Sequence, residues 1–216
     1  EHRRIASKML STYLLTMRGT PYYYMGDELG MSNIKFDNIE DYKDIMTINW
    51  YNLTKEEGGD LEQFIESHKL CARDNARTPI HWDDSAHSGF TSGTPWIQVN
   101  PNYVEVNAAA QEQDPDSELN YFRTLNQVRK NNLTLIYGAY DLLLPEHTQV
   151  YAYTRTLDED KILVLLNFSS DTVTLNIADL GGINMQQAQV LLNNLTELNI
   201  ADGQVTLAPY QAVLMR

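Results

Sequence analysis

The sequence has a single cysteine, Cys71, among its 216 residues. One thiol cannot form a disulfide within the chain, which excludes the disulfide-stapled folds of small secreted proteins and fits a reducing compartment. The sequence also lacks any apolar run of about 20 residues, the length that crosses a bilayer as a helix. No signal peptide is visible. From these absences we expect a cytoplasmic protein that does not enter a membrane.

Positive charge is scarce as well, with 16 Lys and Arg residues against 29 Asp and Glu residues and a formal net charge of -13. A chain of this sign repels a phosphate backbone, so we exclude nucleic acid as a partner. Nothing in the sequence implies a metal or an organic cofactor, and we expect none. Hydrophobic residues make up 43% of the chain, which is enough for a packed core in one large or two modest domains.

The most informative stretch that is present spans residues 19–31. A turn, Arg18-Gly19-Thr20-Pro21, leads into three consecutive tyrosines and then into Gly26-Asp27-Glu28-Leu29-Gly30. Large apolar residues between turn signals are typical of a strand buried on both faces. Carboxylates at the end of such a strand favour a catalytic rim, where α/β barrels keep their chemistry, because charge is costly in a core. The alternative is a buried strand followed by a solvated acidic turn.

Helices are predicted around this stretch. Apolar residues recur at every third or fourth position from Arg3 to Met17, which places Lys8 and Ser11 on the solvent face. The other predicted helices span 41–51, 61–70 and 119–131. In the last of these, capped by Asp116 or Ser117, we expect Arg129 to face out.

From Leu135 onward the periodicity becomes alternating. Strands are predicted at 150–155, 162–168, 173–177, 189–192, 204–207 and 212–215. Short strands with regular turns indicate a β-sandwich of about 80 residues. Its tyrosines could form a sugar-binding face, but packing in the core and across strands is the preferred use. These tyrosines are Tyr137, Tyr140, Tyr151, Tyr153 and Tyr210.

The segment 73–96 carries most of the candidate binding residues. It contains Arg-Asp-Asn-Ala-Arg-Thr-Pro-Ile-His-Trp-Asp from Arg73 and Gly-Phe-Thr-Ser-Gly-Thr-Pro-Trp from Gly89. The donor fork of arginine suits carboxylates and vicinal hydroxyls, and tryptophan offers a flat face to a sugar ring. In the alternative interpretation Arg73 pairs with Asp27 or Glu28 and only stabilises the loop.

These motifs, with Gly-Thr-Pro-Tyr-Tyr-Tyr-Met-Gly-Asp-Glu-Leu-Gly-Met before them, resemble the C-terminal part of an α-glucosidase of the α-amylase family, glycoside hydrolase family 13. The oligo-1,6-glucosidase group is the most similar, with dextran glucosidase and trehalose-6-phosphate hydrolase beside it. The resemblance covers essentially the whole chain, and the motifs occur in the family's order. It implies an α+β fold that consists of the last βα units of a (β/α)8 TIM barrel over 1–134 and an antiparallel β-sandwich over 135–216. Within the first part, 1–18 would be the seventh barrel helix, 20–25 the eighth strand and 26–116 the long loop after it.

The resemblance also implies roles for six residues and a substrate class. Arg73 would hold the non-reducing glucose at its 4-hydroxyl, Arg77 would support the loop nearby, and Glu28 would lie on the aglycone side of the pocket. The residues expected to shape the entrance are Trp82, Phe90 and Trp96. The substrate would be a short α-linked gluco-oligosaccharide, with α-1,6 linkages favoured.

Two departures from the family pattern leave the linkage preference open. Met25-Gly26-Asp27 stands where Gln-Gly-Glu is common, and Ile80-His81-Trp82 stands where Met-Gln-Trp is common.

The catalytic carboxylates of the family have no counterpart in the sequence. They come from earlier barrel strands, the last of them from an Asn-His-Asp segment that does not occur here. A full barrel takes about 250 residues, and the chain begins within a helical pattern, so we expect a C-terminal fragment that is inactive alone. Asp27 and Glu28 are a poor substitute pair, because neighbours on a strand point to opposite faces.

The sequence is therefore consistent with three interpretations. The chain is the C-terminal part of an α-glucosidase, a stand-alone carbohydrate-binding module, or a structural or oligomerisation remnant. We favour the first. We also expect the unpaired apolar strand at 22–24 to drive self-association or disorder of about the first 30 residues, since such a strand seeks a partner.

Overall fold

The structure is a computed structural model that describes residues 2–185 and 187–216. The chain folds as two compact units. The discontinuous unit comprises Glu1–Gly30 and Pro115–Arg216, and the inserted unit comprises Met31–Asp114. The helices are α1 (Arg3–Thr16), α2 (Ile45–Glu56), α3 (Leu61–Cys71), α4 (Ala108–Gln113), α5 (Glu118–Asn131) and α6 (Leu133–Tyr137). The strands are β1 (Ala139–Leu143), β2 (Val150–Leu157), β3 (Asp160–Asn167), β4 (Val173–Asn176), β5 (Val190–Asn193), β6 (Asn199–Ala201), β7 (Gln204–Leu207) and β8 (Ala212–Met215).

Helix α1 confirms the helix predicted from Arg3, but its buried face differs from the predicted one. Lys8 and Thr12 are buried, whereas Leu10 is 51% exposed. The buried polar groups have partners on or before α5: the Lys8 Nζ lies 2.9 Å from an Asp116 carboxylate oxygen, and the hydroxyls of Thr12 and Tyr121 are 2.7 Å apart. Hydrophobic periodicity misplaced this face because satisfied polar groups can be buried at little cost.

Arg129 of α5 is buried, so the outward orientation predicted for it is wrong. Its guanidinium donates to the carbonyl oxygens of Leu15 at 2.6 Å and Gly19 at 2.7 Å. The last carbonyls of a helix have no partner within the helix and carry partial negative charge. Helix α1 has no basic residue in its own last turn, and Arg129 supplies that charge from another element.

The strand predicted at 20–25 is absent: residues 20–24 have no regular secondary structure. The ring of Tyr23 packs on Phe122 with centroids 4.3 Å apart, and its hydroxyl bonds to that of Ser11. Tyr22 is 85% exposed. A strand requires a neighbour for its backbone groups, and no strand in the described part of the chain pairs with this segment.

The strands of the discontinuous unit form two antiparallel sheets. The larger has the order β1-β2-β3-β8-β5 and the smaller β4-β7-β6. The six predicted strands are confirmed within a few residues, and the antiparallel sheets do follow the helices. Strands β1 and β6 were not predicted, because β1 shows no alternation of buried and exposed residues and β6 is only three residues long.

The larger sheet is buried on both faces. Along β3, Ile162 and Val164 join one cluster with residues of α1 and α5, such as Met9. The alternate residues Leu163 and Leu165 join a second cluster that includes residues of the smaller sheet. This alternation follows from the two-residue period of a strand. It accounts for a run of apolar residues on β3 in place of a polar-apolar pattern.

The inserted unit consists of helices, 3-10 turns and irregular chain. It has its own small core of Phe36, Tyr42, Ala72 and Ile97. Helix α3 confirms the helix predicted over 61–70. Helix α2 starts four residues later than predicted, because the Asp44 carboxylate accepts the Thr47 N–H at 3.2 Å and so caps the helix there.

Candidate functional site

Asp44 joins the two arginines that the sequence singled out. An Nη2 group of Arg73 donates to Asp44 Oδ1 at 2.8 Å, and Nη1 of Arg77 donates to the same oxygen at 3.1 Å. Asp44 is buried and caps α2 with its other carboxylate oxygen. The carboxylate that takes Arg73 is therefore Asp44, which sequence reasoning had missed. The available signal was an aspartate three residues before Thr47 at the start of a helical pattern.

Asp74 fixes the backbone beside this pair. Its side chain is fully buried, and Oδ2 accepts the N–H groups of Lys43 at 2.6 Å and Asp44 at 2.7 Å. Its other oxygen accepts from Arg77 Nη1 at 3.1 Å. The result is a cluster of two carboxylates and two guanidinium groups, Asp44, Arg73, Asp74 and Arg77, which we call the arginine cluster.

The electrostatics of the arginine cluster keep Asp44 ionised. Burial raises the pKa of Asp44, but hydrogen bonds from Arg77 and Arg73 outweigh burial, and the net pKa lies below the ordinary value. The same hydrogen bonds, from Asp44 first and Asp74 next, raise the pKa of Arg77. Arg73 is 54% exposed, and no described residue accepts from its Nη1 or Nε groups. Arg73 is thus held on one side and offers donors on the other.

The three aromatic candidates are all exposed, and one of them lines a pocket that the other two do not. Trp96, 68% exposed, lines a pocket of about 620 Å³ together with Asp41 and Lys43. Trp82 and Phe90 do not line this pocket. The rest of the pocket wall is Ala86, His87, Thr94, Pro95, Gln98, Val99, Pro101 and Tyr103. Because Asp74 holds the backbone of Lys43, one wall of the Trp96 pocket is fixed by the arginine cluster.

His81 stands where the family commonly has Gln. It is buried, and it does not line the Trp96 pocket. Its Nδ1 lies 2.7 Å from the Val106 carbonyl oxygen, and its ring meets Tyr103 edge-on at 6.2 Å. A contact of Nδ1 with a carbonyl oxygen requires a proton on Nδ1. Burial lowers the pKa of His81, so the ring is neutral near pH 7 with an Nε2 that has no described partner.

Glu28 lies in the discontinuous unit, in a single 3-10 turn over Asp27–Leu29. Its carboxylate accepts the N–H of Gly26 at 2.9 Å, and the Asp27 carboxylate accepts the N–H of Tyr24 at 3.3 Å. Both acids thus stabilise the turn to which they belong. Gly26 and Gly30 flank the turn with φ of 94° and 62°, values that favour glycine.

Among residues 2–185 and 187–216, no three His, Cys, Asp or Glu side chains are arranged to hold a metal ion. Within the same residues, no helix has the length and apolar character to cross a membrane.

Comparison with known proteins places these features in a family. The profile of the α-amylase catalytic domain matches residues 1–138, and that of the C-terminal domain of the α-amylase SusG matches 150–214. The chain therefore belongs to the α-amylase family, which confirms the resemblance noted in its motifs. It spans less than two fifths of the length of the relatives it matches, 38% for the two curated ones below.

Several relatives are similar over the whole chain. An oligo-1,6-glucosidase of Bacillus cereus is 41% identical over 100% of the chain, and a trehalose-6-phosphate hydrolase of Bacillus subtilis is 36% identical over 100%. Among solved structures, the trehalose-6-phosphate hydrolase of Bacillus licheniformis superposes with a TM-score of 0.92 at 39% identity, covering 100% of this chain and 39% of its own. An isomaltulose synthase mutant of Erwinia rhapontici, solved with D-glucose, has a TM-score of 0.90 at 40% identity, covering 99% of this chain and 38% of its own.

Proposed function

We propose that this chain is the C-terminal part of a retaining α-glucosidase that removes terminal α-linked glucose from short oligosaccharides, with α-1,6 linkages favoured. In this proposal residues 1–134 are the end of a (β/α)8 barrel and 135–216 an antiparallel β-sandwich. The names of the relatives support the reaction class. The observation that carries the proposal is Arg73, which is fixed by Asp44 and leaves donors exposed to solvent.

Arg73 has the properties that recognition of a sugar hydroxyl requires. A guanidinium held in place on one side loses little conformational freedom when its other donors bind. The two positive charges of the arginine cluster are balanced by the carboxylates of Asp44 and Asp74, so the cluster does not select for an anion. We assign Arg73 to a hydroxyl of the terminal glucose and Arg77 to the support of Asp44.

The remaining assignments concern the entrance. Trp96 offers an exposed ring in a pocket whose other wall carries Asp41 and Lys43, a combination of stacking face and polar groups that suits further glucosyl units. Trp82 and Phe90 would shape the entrance loop, and Glu28 would face the aglycone side.

The catalytic step itself needs two carboxylates about 5–5.5 Å apart across the bond that is cleaved. Asp27 and Glu28 are bound to the backbone of one turn, which argues against their use as that pair. We therefore propose that the reaction depends on residues outside this sequence and that the chain alone is inactive. A cytoplasmic location and self-association near Tyr22 remain parts of the same proposal.

The test compares hydrolysis of p-nitrophenyl α-glucoside by this chain and by the longer protein that contains it. We expect activity in the longer protein only. There, Arg73→Ala should lower kcat/KM about 10- to 100-fold, the loss typical of one or two hydrogen bonds to a charged group. Arg73→Lys keeps the charge but not the fork and should recover only part of the loss.

A matched control is Lys69→Ala, since Lys69 pairs with Asp37 and Glu66 on the same unit, outside the arginine cluster. It should leave kcat/KM unchanged. Hydrolysis by this chain alone would refute the proposed dependence on other residues, and unchanged kinetics of Arg73→Ala would refute the role of Arg73.

A further inference from the structure

A second pocket, lined by aromatic residues, lies within the discontinuous unit. Its volume is about 420 Å³, and its lining combines Tyr13 of α1 with Tyr151 of β2 and Phe168 just after β3. The Tyr13 ring meets Tyr151 and Phe168 edge-on, with centroids 5.7 and 5.8 Å apart. The remaining lining is the segment 147–150. We call this the Phe168 pocket.

The aromatic rings of this pocket are held in position and are only partly covered. The Tyr151 hydroxyl is hydrogen-bonded to the Tyr140 hydroxyl, with the two oxygens 2.5 Å apart. The backbone N–H of Phe168 donates to the Gln149 carbonyl at 2.8 Å, and this bond joins two segments of the chain that line the pocket. Phe168 nevertheless leaves 41% of its surface exposed. Phe168 is therefore a solvent-exposed apolar ring in the wall of a concave pocket. Such a ring is suited to a ligand with an apolar face.

His147 provides a donor whose direction is set by the fold. Its Nδ1 accepts the N–H groups of Gln149 at 3.2 Å and Val150 at 3.0 Å. An Nδ1 that accepts two hydrogen bonds carries no proton, so the neutral ring carries its proton on Nε2. No residue in the described ranges accepts from Nε2. This N–H is therefore available to a ligand.

Gln149 and Thr148 complete the polar edge. The Gln149 side chain donates through Nε2 to an Asp171 carboxylate oxygen at 2.9 Å, which orients the amide and leaves its Oε1 as an acceptor. Thr148 adds an exposed hydroxyl to the lining. The pocket thus presents aromatic rings, one imidazole N–H donor, one amide acceptor and one hydroxyl.

From this set we propose that the Phe168 pocket binds one glycosyl unit of a neutral gluco-oligosaccharide without cleaving it. The lining carries no Lys, Arg, Asp or Glu, so it offers no counter-ion to a charged ligand, and a neutral ligand fits it best. A pyranose ring has apolar C–H faces for the aromatic rings and an edge of hydroxyls for His147 and Gln149. The pocket volume lies within the range of small-molecule sites.

The choice of a gluco-oligosaccharide as ligand rests on the proposed function, but the pocket uses none of the residues assigned to hydrolysis. The experiment therefore measures binding with the catalytic site blocked. Isomaltotriose is titrated into the longer protein saturated with 1-deoxynojirimycin, a glucose mimic, and contacts are followed by saturation-transfer NMR and calorimetry. We expect residual binding with saturation transfer to the sugar C–H protons.

Three variants test whether this residual binding occurs in the Phe168 pocket. Phe168→Ser removes the apolar ring and should weaken this residual binding about tenfold or more. His147→Asn keeps a side-chain acceptor for the N–H groups of Gln149 and Val150, but it removes the Nε2–H donor. This variant should weaken isomaltotriose binding severalfold. Leu142→Ser, an exposed apolar position on β1 outside the pocket, is the matched control and should change nothing.

The outcomes separate the two proposals. Unchanged hydrolysis of p-nitrophenyl α-glucoside in all three variants, with isomaltotriose binding weakened in the first two and unchanged in the third, supports the site. Absence of residual binding in the unsubstituted protein, or full binding by a folded Phe168→Ser variant, overturns it. A protein that binds isomaltotriose in this way but hydrolyses no α-glucoside would overturn the proposed function and leave the binding site supported.

Discussion

The guanidinium groups of Arg129 and Arg155 both donate to the same carbonyl oxygen, that of Leu135, at 3.0 and 2.9 Å. Both arginines are buried, and their other bonds also go to backbone carbonyls, including Leu15 for Arg129 and Thr16 for Arg155. Burial lowers the pKa of both groups. Two positive charges in one interior region are tolerated because carbonyl dipoles at the end of α1 converge on them. This arrangement ties α1, α5, α6 and β2 together.

Replacement of Arg155 by Met should be strongly destabilising. The substitution keeps much of the volume but leaves the carbonyls of Thr16 and Gly138 without the donors that now lie at 2.7 and 2.8 Å. We expect the free energy of unfolding to fall by about 2–5 kcal/mol, because each buried carbonyl left without a donor costs about 1–3 kcal/mol. Denaturant unfolding followed by circular dichroism measures this change. Lys130→Met, an exposed site on α5, is the control, and an equal loss in both variants would contradict the argument.

Asp44 and Asp60 allow a matched comparison of two helix caps. Each carboxylate caps a helix, Asp44 through Thr47 and Asp60 through Gln63, but only Asp44 also binds two arginines. Asp60→Ala should cost about 1 kcal/mol of stability, the usual value of a cap. Asp44→Ala should cost about 2–4 kcal/mol, because it also frees two guanidinium groups.

The same pair of variants tests the link to function. In the longer protein, Asp44→Ala should raise KM for an aryl α-glucoside because Arg73 loses its anchor, whereas Asp60→Ala should leave KM unchanged. Equal kinetics in the two variants would mean that Asp44 does not position Arg73.

The stability contributed by Asp44 should depend on pH in a defined direction. Its pKa is lowered in the folded state, so the contribution is complete above the unfolded value of about 3.9 and is lost as the pH falls through the lower folded value. The Tm difference between the unsubstituted protein and Asp44→Asn should therefore be constant from about pH 7 to pH 5 and shrink below about pH 4. Calorimetric scans at several pH values measure it. A difference that grew with acidity would reverse the assigned sign.

His81 should give the protein a second pH dependence. Burial lowers its folded pKa below the ordinary value, so the unfolded chain takes up a proton first as the pH falls. Stability from His81 is therefore present above an unfolded pKa of about 6.5 and declines below it. His81→Gln, the residue common in the family, should remove this decline, so the variant gains relative Tm between pH 7.5 and pH 5. His87→Asn, at an exposed histidine, should not, and a similar gain there would refute the explanation.

Much of the local structure could be predicted from the sequence. Helix α3 follows from its apolar spacing, and α5 from its spacing and the Ser117 cap, which accepts the Asn120 N–H at 3.1 Å. The central strands follow from alternation and from apolar runs between turns. The candidate arginines were found because guanidinium groups beside aromatic residues in a turn-rich segment are unusual.

What could not be predicted was set by contacts between distant parts of the chain. Arg129 and Lys8 read as surface residues because charge is normally solvated, yet each is buried against carbonyl or carboxylate oxygens from another element. The role of Asp44 could not be predicted, because Arg73 and Arg77, which donate to it, are about 30 residues away in the sequence. The stretch 20–25 has the composition of a buried strand, but composition cannot supply the neighbouring strand that its backbone needs.

The sequence by itself determined the family, the antiparallel strands and the choice of Arg73 as a candidate binding residue. Motif order, side-chain period and residue chemistry are local properties. Tertiary structure decided which charges are buried, which carboxylate holds Arg73, and that Tyr13, Tyr151, Phe168 and His147 surround one pocket. The physical reason is that burial of a charge and closure of a pocket depend on partners far away in the chain, and only the folded backbone brings those partners within hydrogen-bonding distance.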